Sequence, residues 1–157
     1  MSTRGKRIGE ILKFHRLISA TKLQRALDQQ KINGGKLGEI LVDRGYISEK
    51  DLLVALQEQF QVPIIDFDRA PQNPKALKII SPNFANEYLV LPITFIQVPR
   101  GLILVVAMEN PSNKALIKHL NEITGYPIKP MLAGKRRLIQ AILEAYRSES
   151  AQSVGYL

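Results

Sequence analysis

The chain has no cysteine and no tryptophan, and its aromatic content is five tyrosines and five phenylalanines among 157 residues. Without cysteine there is neither a disulfide nor a thiolate metal site, which fits a reducing compartment, and the cytoplasm is the expected location. The shortage of aromatics argues against a base-stacking surface for nucleic acid, so that function class rests on charge alone. Long apolar runs are missing as well. The longest, Leu102 to Met108, has the length of a strand, far below the roughly 18–20 residues of a membrane-spanning helix. The opening MSTRGKR leads straight into an amphipathic pattern, so no secretory signal is expected.

What the chain does have is positive charge. Lysine and arginine number 22 against 14 acidic residues, a net charge of +8 with a pI near 9.8. That balance favours anionic partners such as nucleotides or acidic headgroups, although many soluble proteins carry a similar excess without using it. The 45% hydrophobic content is that of a globular protein. A chain of this length buries roughly 70% of its unfolded surface, so a core needs no metal or cross-link.

An internal duplication organises the first sixty residues. Residues 7–30 read RIGEILKFHRLISATKLQRALDQQ, and residues 36–59 read KLGEILVDRGYISEKDLLVALQEQ. At an offset of 29 the two share Gly9/Gly38, Glu10/Glu39, Ile11/Ile40, Leu12/Leu41, Ile18/Ile47, Ser19/Ser48, Leu23/Leu52, Ala26/Ala55, Leu27/Leu56 and Gln30/Gln59. These are ten identities in 24 ungapped positions, far beyond coincidence. Each copy reads as a short helix, a turn and a longer helix. Ser19 and Ser48 stand where N-caps belong. Gly45 suits a left-handed C-cap, and Arg16 at the same place in the first copy costs about 1 kcal/mol if it keeps that conformation. Leu23, Leu27 and Gln30 lie on one helical face, and Leu52, Leu56 and Gln59 repeat the stripe. Helix-on-helix packing accounts for glycine and leucine at these spacings. It does not account for a basic residue opening each copy beside a glycine, or for a glutamine closing each stripe. Matched polar positions suggest two half-sites for a ligand with two-fold symmetry.

The second half has a different pattern. Val62-Pro63 ends the helical region. Ile64 to Phe67 is strand-like and a Pro/Asn-rich linker follows. Ala76 to Ile80 and Pro82 to Tyr88 read as short helices, and residues 90–98 and 102–108 as a β-hairpin. Ser112 is placed to cap a helix ending at Gly125, residues 128–133 form a third strand, and Lys135 to Tyr146 a last helix. In that helix Leu138, Ile139, Ile142 and Leu143 are expected inward, with fraying from Ser148. The fold class is α+β: a helical subdomain (1–61), a connecting strand and linker (62–74), a small α/β sandwich with helices on one side of its sheet (75–148) and a frayed tail (149–157).

The duplicated motif resembles the tandem motif of MshEN-type cyclic di-GMP-binding domains, R-L-G-x2-L-x3-G-x6-L-x3-L-x2-Q in two copies five residues apart. Here the spacer is also five residues, Lys31 to Gly35. The segments FANEYLVLPITF, LILVVAMENPSN and ITGYPIKPMLA are similar to the region that follows in type II secretion and type IV pilus assembly ATPases. The resemblance implies a cyclic di-GMP site made of Arg7, Ile8, Gly9, Leu12, Leu23, Leu27 and Gln30 from one copy. The other supplies Lys36, Leu37, Gly38, Leu41, Gly45, Leu52, Leu56 and Gln59. Arg16 and Asn110 are additional candidates. It also implies docking on a secretion or pilus ATPase or an inner-membrane platform protein. Three residues depart from the family pattern: Lys36 in place of arginine, Arg16 in place of glycine, and Asn110-Pro111 where Asp-Pro is frequent. Arg16 either obstructs the ligand or adds a phosphate contact.

No enzyme is expected. G-x4-G-K-[ST] does not occur, so the phosphate-cradling loop of an ATPase engine is missing from this sequence. His15 and His119 are far apart and read as surface residues, and neither a metal cluster nor a nucleophile–base pair is apparent. No cofactor is expected beyond the cyclic di-GMP ligand. Two readings stay open: a receptor module that responds to cyclic di-GMP, and a docking module that binds no nucleotide.

Overall fold

The computed structural model describes residues 6–154, with side chains described to residue 149. The chain divides into two compact units, Met1–Gln61 and Val62–Leu157.

The first unit is helical: α1 (Ile8–Phe14), α2 (Ala20–Asn33), α3 (Leu37–Asp43) and α4 (Glu49–Phe60). The helix boundaries follow from local chemistry that both copies share. The hydroxyl of Ser19 accepts from Lys22 N at 3.2 Å, and that of Ser48 from Asp51 N at 3.0 Å. Asp51 closes a capping box by accepting from Ser48 N at 3.4 Å. Both short helices end in a Schellman motif. Leu17 N donates to Leu12 O and Arg16 N to Lys13 O, and in the second copy Tyr46 N donates to Leu41 O and Gly45 N to Val42 O. The residue that turns the chain is left-handed in both, φ 68° at Gly45 and 57° at Arg16. The arginine therefore keeps the conformation of its glycine counterpart, at a cost of about 1 kcal/mol.

The two copies interlock. α1 packs on α4 and α2 on α3, so each short helix lies against the long helix of the other copy. Ile11, Leu12, Ile18, Leu23, Ala26, Ile40, Leu41, Ile47 and Ala55 form the shared core.

The second unit runs α5 (Pro74–Leu77), α6 (Pro82–Tyr88), β1 (Val90–Val98), β2 (Gly101–Met108), α7 (Lys114–Thr124), β3 (Ile128–Leu132) and α8 (Lys135–Val154). Its sheet has the order β1-β2-β3, antiparallel between β1 and β2 and parallel between β2 and β3. The hairpin register slips between Pro92 and Thr94, where proline has no N–H to give the ladder. The linker laces onto the same place, with Asn73 N and Gln72 Nε2 donating to the carbonyls of Ile93 and Pro92 at 2.8 and 2.7 Å. Every residue from Leu104 to Met108 is buried, so the middle strand is covered on both faces, not on the one expected. An uninterrupted apolar run is the sequence mark of such two-sided burial.

Four further local expectations change. Ile64 makes only a single bridge, parallel to Leu132, before the chain turns at Asp66. The cap of α7 is Asn113, whose Oδ1 accepts from Leu116 N at 3.0 Å, because the hydroxyl of Ser112 is taken up by Asn110. In α8, Leu138 and Ile142 have no exposed surface, whereas Ile139 and Leu143 are 37% and 52% exposed. The inward stripe also takes in Ala141 and Tyr146, and Ile139 and Leu143 lie about 100° round the helix from Leu138 and Ile142. Finally, α8 continues to Val154 instead of fraying at Ser148, whose hydroxyl donates to Glu144 O within the helix. Residues 155–157 of the expected tail lie outside the described residues.

Candidate functional site

The residues singled out by the duplicated motif divide into three groups once their surroundings are known. Leu12 and Leu41 have no exposed surface, and Leu23 is 6% exposed. They belong to the core that holds the unit together. Gly9 and Gly38 serve close packing within each copy: a Cβ would sit 3.1 Å from Leu23 Cδ1 at Gly9 and 2.7 Å from Leu52 Cδ1 at Gly38. The remaining positions reach the surface. Arg7, Arg16, Lys36 and Gly45 are exposed, and Ile8, Leu27, Gln30, Leu37, Leu52, Leu56 and Gln59 are half-buried.

The two closing glutamines show how the copies are related. Gln30 Nε2 donates to Gly35 O at 3.0 Å, and Gln59 Nε2 donates to Lys6 O at 3.3 Å. Each glutamine thus grips the carbonyl just ahead of the basic residue that opens the other copy. Both donor and acceptor shift by the 29-residue repeat, so the contacts are images of one another about an approximate two-fold axis. Each amide spends one N–H on the fold and leaves its carbonyl oxygen as an acceptor, with no partner among the described residues. The guanidinium of Arg7 likewise makes no bond to any described residue. Its backbone is used instead, the N–H donating to Glu10 Oε2 at 3.1 Å and the carbonyl accepting from Glu10 N and Ile11 N.

A second pair of contacts obeys the same exchange and was not singled out in the sequence. His15 Nε2 donates to Glu58 Oε2, and Arg44 Nε to Gln29 Oε1, each at 2.6 Å. Position 15 is equivalent to 44 and position 29 to 58, so these also cross between copies. The signal lay in the repeat, but unlike side chains at equivalent positions hid it. His15 is therefore a surface residue with a specific partner. Asn110 belongs to the second unit, where its Oδ1 accepts from Ser112 N at 3.1 Å in a turn. Among the described residues no group of three or more His, Cys, Asp or Glu is placed to hold a metal ion. No helix of the described residues is long and apolar enough to cross a membrane.

Such an arrangement offers matched donors and acceptors about a pseudo-two-fold axis, flanked by half-buried leucines and by cations.

The chain is 34% identical over 148 residues to the type IV pilus assembly ATPase PilB of Myxococcus xanthus, covering 94% of this chain and 25% of that protein. It is 27% identical over 141 residues to the PilB of Thermus thermophilus, covering 90% of this chain and 16% of that protein. The chain thus spans a quarter or less of the length of these relatives. A solved structure of MshE with cdg (cyclic di-GMP) superposes with a TM-score of 0.77 at 27% identity, covering 90% of this chain and 99% of that one. The N-terminal domain of XpsE has the same fold, with a TM-score of 0.67 at 21% identity, 87% of this chain and 91% of that one covered. The family model described as MshEN domain matches residues 60–152, more than half of the chain. That match falls on the second unit, whereas the tandem motif that carried the resemblance lies ahead of it. The chain belongs to the MshEN domain family.

Proposed function

We propose that the first unit is a cyclic di-GMP-binding regulatory module, holding one ligand between the two copies of the duplicated motif. The observation that carries this reading is the exchange symmetry of the glutamine contacts. It turns two sequence copies into two facing half-sites. Cyclic di-GMP has two guanines, two phosphates and an approximate two-fold axis, so a duplicated site matches it in number and symmetry. The carbonyl oxygens of Gln30 and Gln59, without a partner among the described residues, suit the N–H donors on a guanine edge. Leu27, Leu37, Leu52 and Leu56 offer apolar cover for bases and riboses. Arg7 can fork onto a phosphate or a guanine edge, and Lys36 supplies the equivalent charge without the fork. The likeness to MshE solved with cyclic di-GMP, spanning nearly all of that chain, supports the same ligand. Occupancy would be passed to a secretion or pilus ATPase or to an inner-membrane platform protein.

Calorimetric titration with cyclic di-GMP tests the reading, with GMP and cyclic di-AMP as controls. The expected result is one ligand per chain at about micromolar affinity or tighter, near −8 kcal/mol or better. Replacing Arg7 and Gln30 together by alanine should weaken it at least about tenfold, roughly 1.4 kcal/mol. A second reading draws on the two departures inside the motif, Lys36 and Arg16. If wild-type chain gives neither heat nor competition in a filter assay, the unit is a docking module, and a platform protein should be retained without nucleotide.

A further inference from the structure

We infer that Arg16 makes the two half-sites unequal by holding one of the ligand's two phosphodiesters at the first copy. The inference rests on the reading of the first unit as a cyclic dinucleotide site and names a specificity-determining residue within it.

The duplication supplies an internal control. Arg16 and Gly45 close the same motif at equivalent positions, with φ 57° and 68°. Glycine adopts this conformation freely, whereas arginine must be held in it. The turn's own bonds hold it there, Arg16 N donating to Lys13 O and Leu17 N to Leu12 O, and glycine at the equivalent place makes the same turn without a side chain. Arg16 is exposed, and its guanidinium makes no hydrogen bond or ion pair with any described residue. The side chain itself adds no bond to the fold among the described residues, so its charge is available to a ligand.

Its surroundings fit that role. The adjacent His15 is bonded to Glu58 on α4, next to Gln59, whose amide grips Lys6 O. Residue 15 therefore lies against the end of α4 that carries a closing glutamine and Leu56, and Arg16 follows it in the chain. The wider charge distribution points the same way. Residues 7–30 hold Arg7, Lys13, Arg16, Lys22 and Arg25 against Glu10 and Asp28, a net charge of +3. Residues 36–59 hold Lys36, Arg44 and Lys50 against Glu39, Asp43, Glu49, Asp51 and Glu58, a net charge of −2. A backbone that is nearly symmetric thus carries an asymmetric field, and a dianionic ligand is drawn to the first copy. Arginine adds direction to that attraction, since its planar fork matches two oxygens of a phosphate.

Titration with cyclic di-GMP of the wild-type chain and of Arg16→Gly, Arg16→Lys and Lys36→Ala, at low and moderate salt, tests this. Arg16→Gly should lose about tenfold or more in affinity, although its unfolding temperature stays the same or rises. Arg16→Lys should stay within about threefold of wild type, and Lys36→Ala should lose less than Arg16→Gly. Affinity of the wild-type chain should fall more steeply with salt than that of Arg16→Gly, because one screened attraction is gone in the variant. Equal or tighter binding by Arg16→Gly would overturn the inference and make the arginine an obstruction. If the wild-type chain binds no cyclic di-GMP, the parent reading fails instead, and the two failures are told apart by that single titration.

Discussion

At the scale of single residues, the two copies of the motif look more alike than they are. Gly9 and Gly38 are equivalent in sequence, yet a Cβ at Gly38 would approach Leu52 to 2.7 Å, against 3.1 Å from Leu23 at Gly9. Alanine at position 38 trades that crowding against better helix propensity, and Leu52 is only half-buried and able to shift. A branched side chain leaves no such escape. Gly38→Val should destabilise the chain by about 1–3 kcal/mol in denaturant titration. Arg16 offers the opposite case. Replacing it with glycine relieves a left-handed conformation, so Arg16→Gly should raise stability by about 1 kcal/mol. Thermal unfolding should then move up by a few degrees. A lower midpoint would show that the arginine contributes a contact its exposure does not suggest.

At the scale of elements, capping and packing divide the work. The long helices begin at serines whose hydroxyls each satisfy one orphan amide, and Ser48 is reinforced by the return bond from Asp51. Ser48→Ala should therefore cost about 1 kcal/mol, and Ser19→Ala no more, measured by the midpoint of chemical unfolding. A larger loss at Ser19 would mean that the capping box adds nothing. These caps could be read directly from the chain, because an N-cap is a local event that depends on residues within one turn. The burial of α8 could not. Leu138, Ile139, Ile142 and Leu143 form two apolar stripes at the same spacing, and only docking on the sheet selects Leu138 and Ile142 for the core. The site shows the same division. The positions of the glutamines were legible from the repeat. Their partners were not, since Gln59 bonds a carbonyl 53 residues away.

At the scale of the whole molecule, each of the two units has its own core. In the second, Tyr146 ties the last helix to the segments that precede the sheet. Its hydroxyl donates to Ile80 O at 2.8 Å and lies 3.4 Å from Leu77 O. Burial, with a smaller contribution from the charge of Glu149, pushes the Tyr146 phenol up from 10.0 to about 12. The folded unit therefore holds this proton more tightly than the unfolded chain. The associated stability is fully present below pH 10 and is lost as pH rises from about 10 to about 12. The slope attributable to one such group is about 1.4 kcal/mol per pH unit at most. Tyr146→Phe should be less stable at neutral pH by about 0.5–1.5 kcal/mol and should show a shallower alkaline decline. Parallel declines in the two proteins would assign the alkaline loss to other groups.

The sequence by itself determined most elements and the duplication: helix starts at Ser19 and Ser48, a left-handed turn at Gly45, a hairpin around Pro99-Arg100, and two copies of one motif. All of these depend on chemistry within a few residues or on comparison of the chain with itself. Tertiary structure alone decided that the copies interlock short helix against long, that Leu12 and Leu41 are core while Leu27 and Leu56 are surface, and that the glutamines reach across. It also decided that β2 is covered on both faces. The physical reason is common to these cases. Periodicity states which residues share a face of an element, but the free energy that chooses what covers the face comes from surfaces distant in the chain.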